Sequence, residues 1–466
     1  MSFQFVDSTK VGRNERRLIR SHVMKGKNTG KSLPPRKRHR GTTPVKRTLD
    51  TSIVSTTKGM DPRLMVYGET RILELISLYW SDLSLISFAH ELTPESRPLI
   101  HQWFTFVSQA MYPPQFCQKY DLVGTLWFGL ALQDEAYCHL MLAMAASMAS
   151  FSLGESRLTP LIMTHLARTY QIINKRLSGP EALSDGSIAV VTSLAMHEDL
   201  HQQQSTAMVH FQGLRRMVEL RGGMRHLFSV ERHIGQKVWR LDIEFALHTG
   251  SDIHFHDNNI PSSVVIDGLR KDRRVYKRNH IPQWLCDTST GLLDIALDAI
   301  DFTEFLNTRS IGNKLFALDY TDALLALTGS LLQVAPVAGK LPQGRDNLMH
   351  KSLLTYMVTF RPEYGRRLAK YNLLGRGLRS SAQAFRPSTA FDHELLLWAL
   401  YCGGIQVFDE SKDLDWLSSM VTRACEHLSL HTWAETRNVL RKVAWIPSVH
   451  DEAGETLWKS LGRSSQ

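Results

Sequence analysis

Cysteine is scarce and unpaired in this sequence. Cys117, Cys138, Cys286, Cys402 and Cys425 are spread over 466 residues without a single Cys-x-x-Cys pair. That spacing excludes a disulfide framework and a Cys-rich zinc module, and it suits a reducing compartment. Long hydrophobic runs are missing too. The longest, Leu140 to Leu153, is short for a bilayer span and rich in Ala, Met and Ser. It predicts a buried helix and no membrane contact. The first ten residues lack the apolar core of a signal peptide. No alternating segments joined by Asn-Gly or Asp-Gly turns occur, and no repeat of fixed length, which argues against sheets and solenoids. There is no Gly-Lys-Ser/Thr phosphate loop and no Gly-x-Ser-x-Gly elbow. Gly375-Arg376-Gly377 lacks the third glycine and the preceding strand of a dinucleotide site.

Acidic residues are nearly missing from one stretch. Residues 1–50 hold fourteen Lys and Arg against three Asp and Glu, whereas the whole chain carries a net charge of +10. The remaining nine-tenths is therefore close to neutral. The expected organisation is a basic, largely disordered arm over 1–58 and a folded body over 59–466. Arg16, Arg17 and Arg20 fall at helical spacing near the start of the arm. Arg36, Lys37, Arg38 and Arg40 follow two prolines that keep the segment extended, and Lys46 and Arg47 add a second cluster. An extended basic run suits the acidic grooves of a nuclear import carrier. The same charges can neutralise DNA phosphates without choosing a sequence.

The body has the composition of an ordinary globular protein, 43% hydrophobic and 21% charged, which excludes wholesale disorder. Its dominant period is 3.6 residues. Helices are expected over 71–88, 94–111, 123–153 (two), 158–177, 187–200, 206–221 and 229–248. A polar connection near 251–283 separates these from a second series over 291–306, 312–334, 347–360 and 363–374. Residues 393–408 are apolar on all sides, which predicts a central helix with Asp392 as its cap. The fold class is all-α.

Two motifs stand out. His197-Glu198-Asp199-Leu200-His201 matches His-Glu-x-x-His, in which two histidines on one helix face hold zinc and the glutamate is a general base. The context is poor: Gln204 and Ala207 stand where the longer zincin pattern needs Gly and His, and Glu219 is a remote third ligand. His197, Glu198 and His201 are thus a weak metal candidate, no cofactor is expected, and no catalytic residue is assigned. The second motif is His210-Phe211-Gln212-Gly213-Leu214-Arg215-Arg216-Met217-Val218-Glu219-Leu220-Arg221-Gly222-Gly223. On a helix, His210, Leu214, Met217, Val218 and Arg221 share one face, with Arg215, Arg216 and Glu219 directed away. Gly222-Gly223 is a natural left-handed stop.

This second motif resembles the central His-x-x-Gly-Leu…Arg-Gly-Gly element of fungal-specific transcription factor domains. The start FQFVDSTKVGRNERRLIRSHVMKGK is similar to segments that precede such domains, and Gly59-Met60-Asp61-Pro62 looks like a degraded Asp-Pro-Phe. Trp398 with Gly403-Gly404, then Trp416, Trp433 and Trp445, resembles the C-terminal pattern. The resemblance implies a nuclear regulator of transcription that is not an enzyme. In the best-known members a six-cysteine zinc cluster reads DNA ahead of the helical domain. Residues 1–116 contain no cysteine, so that reader is expected to be absent. DNA contact then falls to the basic arm or to a partner: another transcription factor, the transcription machinery, or a second chain in a homo- or heterodimer. The alternative is a helical interaction or ligand-sensing protein without chromatin contact.

Overall fold

The computed structural model describes residues 88–119, 125–152, 157–255, 263–275, 285, 288–309, 314–342, 344–360 and 371–462. The basic arm, with Arg16, Arg17, Arg20, Arg36, Lys37, Arg38, Arg40, Lys46 and Arg47, lies outside them, as do the expected helix over 71–87 and the stretch 361–370. Seventeen α-helices occur among the described residues. A lone bridge between Cys117 and Leu315 is the nearest approach to a sheet there, so the fold is all-α.

The first series runs α1 (Ser96–Met111), α2 (Leu126–Gln133), α3 (Glu135–Ser152), α4 (Pro160–Leu177), α5 (Asp185–Leu200), α6 (Gln204–Leu220), α7 (Gly223–Val230) and α8 (Arg232–Thr249). The second is α9 (Val264–Val275), α10 (Thr290–Arg309), α11 (Ala317–Val334), α12 (Gly344–Val358), α13 (Asn372–Ala384), α14 (Ala390–Gln406), α15 (Glu410–His427), α16 (Trp433–Val443) and α17 (Pro447–Ser460). None is long and apolar enough to cross a membrane.

Local chemistry sets the boundaries. Thr125, Thr159 and Ser184 cap α2, α4 and α5 with side-chain oxygens on backbone N–H groups, and Pro160 occupies the first turn of α4. Two differences from the sequence reading have clear causes. Thr389, not Asp392, caps α14; Asp392 is the reciprocal partner of a capping box and also pairs with Arg345. The helix expected over 229–248 starts three residues later, at Arg232, because the Glu231 side chain accepts from the His233 N–H and starts α8, while Ser229 and Val230 end α7.

The polar connection near 251–283 also contains structure. α9 buries Ile266, and its basic residues point inward to acids on α10. Arg270 and Arg273 contact Asp298 at 2.6 and 2.9 Å, and Arg273 contacts Asp301 at 2.6 Å. A sequence that reads as solvated surface is here pinned by charge.

α14 is the centre of the second series and touches α12, α13, α15, α16 and α17. Trp398 is fully buried and donates from Nε1 to the Ala444 carbonyl at 2.6 Å. Trp445 and Trp458 are equally buried, and Trp433 packs against both. These tryptophans are core anchors. α8 links the two series. It packs on α5 and α7 on one side and on α11 and α13 on the other. Arg232 clamps it to α11 through Asp319 and Asp322 at 2.5 and 2.7 Å.

Candidate functional site

The two sequence motifs meet around α5 and α6. His197 is 1% exposed at the end of α5. Its Nε2 lies 3.0 Å from the hydroxyl of Ser147 on α3, and Nε2 of His201 lies 3.0 Å from the same oxygen. A hydroxyl carries one proton, so Ser147 donates to one imidazole and accepts from the other. In a zinc site both Nε2 lone pairs would face a cation. Here both nitrogens are engaged by a fully buried serine, and the motif clamps α5 to α3.

Burial also sets the electrostatics of the motif. Burial pushes His197 down to about 3, and His201 pushes in the same direction. Burial also raises the Glu198 carboxyl, which accepts from the Tyr170 hydroxyl at 3.0 Å instead of facing the histidines' shared oxygen. Glu219 lies on the exposed side of α6 and pairs with Arg216 at 3.3 Å. Among the described residues, no group of three His, Cys, Asp or Glu is placed to hold a metal.

The second motif builds α6 and its end. Ala207, Phe211, Leu214, Met217 and Val218 form the buried face. His210 sits beside Tyr170 with rings 5.9 Å apart, which extends the Glu198–Tyr170 contact across α4, α5 and α6. Arg221 donates to the Leu183 carbonyl and pairs with Asp185 at 2.6 Å, tying the end of α6 to the start of α5. Gly222 and Gly223 have φ of +106° and +85°, and the chain turns there directly into α7. Gly213 is different. It lies on the exposed face, and a Cβ added there would meet nothing within 4 Å. Far along the chain, Gly403 and Gly404 sit in the packed end of α14, against Phe408 and against Leu457 and Leu417.

α6 also forms one wall of a cleft of about 540 Å³ that the sequence reading missed. Arg215, Val218 and Glu219 come from α6, Gly223 and Met224 from α7, and Ser251–Phe255 from the turn after α8. Gly250, at φ +74°, ends α8 and reverses the chain. The turn is held by Asp242, a carboxylate with no exposure on α8. Asp242 accepts from the N–H groups of His254 and Phe255 at 2.8 Å and from Nδ1 of His254 at 3.0 Å. Phe211 supports the far side through Phe245, His254 and Phe255. Arg215 was expected to point away from the body. Instead it lines this cleft, with Nε buried and lacking a hydrogen-bond partner. Its guanidinium lies 3.9 Å from Glu219. The readable hint was Asp242 itself, an acid between Leu241 and Ile243 on the core face of a helix.

Neither the search of the curated proteins nor that of the solved structures found a match to this chain. Residues 99–246, from α1 to near the end of α8, match the family model described as Fungal specific transcription factor domain.

Proposed function

We propose that this protein is a nuclear regulator of transcription that acts through its helical body and does not rely on a zinc-cluster DNA reader of its own. The observation that carries the reading is the domain match over 99–246, which contains the α6 motif and the helices that pack on it. Two further facts support it. Positive charge is concentrated in residues 1–50, as a nuclear import carrier requires, and residues 1–116 hold no cysteine for a six-cysteine cluster. In this reading Arg36, Lys37, Arg38 and Arg40 deliver the protein to the nucleus and add non-specific contact with DNA phosphates. The body engages another transcription factor or the transcription machinery, as a homo- or heterodimer or a larger assembly.

The test is chromatin occupancy in cells of the tagged full-length protein beside a variant with Arg36, Lys37, Arg38 and Arg40 changed to alanine. Discrete peaks that weaken in the variant are expected, and their sequences identify the partner that supplies specificity. A protein excluded from the nucleus in both forms, with no peaks, defeats the reading and favours an interaction protein without chromatin contact.

A further inference from the structure

The cleft between α6, α7 and the turn after α8 has the volume of a small-molecule site, which runs from about 300 to 1,000 Å³. Its chemistry narrows the ligand. Arg215 brings a positive charge and a buried Nε–H without an acceptor, and a buried donor in that state calls for an external partner. Asp252 brings one carboxylate to the same cleft and Glu219 a second, which Arg216 also pairs at 3.3 Å from outside the lining. A phosphate or a dicarboxylate would meet two repelling acids against one arginine. A simple amine would leave the Arg215 Nε–H without an acceptor. A molecule with one carboxylate and one ammonium answers both. The remaining wall, Val218, Met224, Ile253 and Phe255, is apolar.

His254 is held rigidly. With Nδ1 donating to Asp242, its Nε2 presents a lone pair in the neutral form. Asp242 also fixes the backbone of the turn, so the wall is preformed and a ligand pays little to order it.

We propose that this cleft binds a small zwitterion with an apolar side chain, an amino acid of the leucine or phenylalanine class. Its carboxylate faces Arg215, its ammonium faces Asp252 and Glu219, and its side chain lies on Met224, Val218 and Phe255. The proposal goes beyond the regulator reading and does not rest on it, because binding is measured on purified protein without chromatin.

The experiment is calorimetric titration of the full-length protein with four probes: L-leucine, L-phenylalanine, phenylalaninamide and N-acetylphenylalanine. Saturable binding of a free amino acid is expected. Loss of the carboxylate in the amide, or of the ammonium in the N-acetyl form, weakens binding by about tenfold or more, the factor that corresponds to one charge-assisted hydrogen bond. Arg215→Gln abolishes the preference for phenylalanine over its amide. The double variant Glu219→Gln, Asp252→Asn abolishes the preference over the N-acetyl form. All three residues are partly or fully exposed, so an unchanged melting midpoint verifies that the variants are folded. Absence of saturable binding to the wild-type protein by any probe overturns the proposal. So does an Arg215→Gln protein that binds L-phenylalanine as tightly as wild type.

Discussion

α14 and α6 both carry glycine inside a motif helix, and they use it for opposite ends. α14 is buried on every side. A side chain at Gly403 would collide with the Phe408 ring, and one at Gly404 would come within 2.5 Å of Leu457. Its glycines let neighbouring elements approach. α6 buries one face, and Gly213 lies on the other with open space around it. The first series of helices thus presents an exposed motif surface and an open cleft, whereas the second closes on itself around Trp398, Trp445 and Trp458. Packing explains every glycine of the C-terminal motif and leaves Gly213 of the central one without an internal reason.

The comparison breaks first, and by the largest amount, at Gly403→Val. The Phe408 ring that would have to yield already packs edge-on against Trp416 at 5.3 Å. Overpacking of this kind costs about 3 kcal/mol. Urea denaturation of the variant should show that loss. A midpoint equal to wild type would mean that α14 is not the close-packed centre described here.

Acid sharpens the contrast from the other side, because buried neutral histidines are concentrated around α3, α4 and α5. His197 is held down to about 3 and His139 to about 4, in both cases chiefly by burial. Their folded values lie below the ordinary imidazole value, so the unfolded chain takes up the proton first. Stability is therefore fully present above about pH 6.5 and falls as the pH drops toward 4, by roughly 1 kcal/mol per pH unit for each such group. Denaturation midpoints at pH 7, 5.5 and 4.5 measure the slope, and His197→Gln should flatten it. His350, held to about 4 by burial in the second series, contributes in the same direction, so the variant reduces the slope without removing it.

Gly222→Val comes next. The residue sits at φ +106° with the His226 side chain 3.3 Å from where its Cβ would lie. A β-branched side chain resists that backbone, so a loss of about 1–2 kcal/mol is expected in the melting or denaturation midpoint. A neutral result would mean that the reversal between α6 and α7 tolerates another geometry, and that the wall of the cleft at Gly223 and Met224 is less fixed than it looks.

How far the sequence announced all this depends on whether a signal was local. The stop at Gly222-Gly223 was legible because two successive glycines at a helix end have one common use. α14 was legible because apolar residues on all sides of a helix leave it nowhere to go but inside. The break at Glu231 was not, since glutamate is a weak cap and the apolar period runs on through it. α9 was hidden by its charge: Arg270 and Arg273 look like surface until Asp298 and Asp301, some 28 residues later, are seen across from them. The His-Glu-x-x-His motif was legible as spacing but not as meaning. Only the fold brings Ser147 between the two rings. The cleft was least legible, because Arg215, Asp242 and His254 belong to three elements and meet through a turn whose geometry rests on Gly250.

Gly213 gives the smallest predicted effect and the most pointed use of the comparison. Glycine in a helix interior costs about 0.5–1 kcal/mol relative to alanine, through the backbone entropy it loses on folding. At Gly403 that cost is offset by contacts a side chain would destroy. At Gly213 nothing among the described residues offsets it, since a methyl group would meet none of them within 4 Å. Gly213→Ala should therefore stabilise the isolated protein by about 0.5–1 kcal/mol, read as a higher denaturation midpoint. A destabilised variant would show that the exposed face of α6 is covered in solution, by a second chain or by a part of this one, and midpoints that shift with protein concentration would separate those two cases.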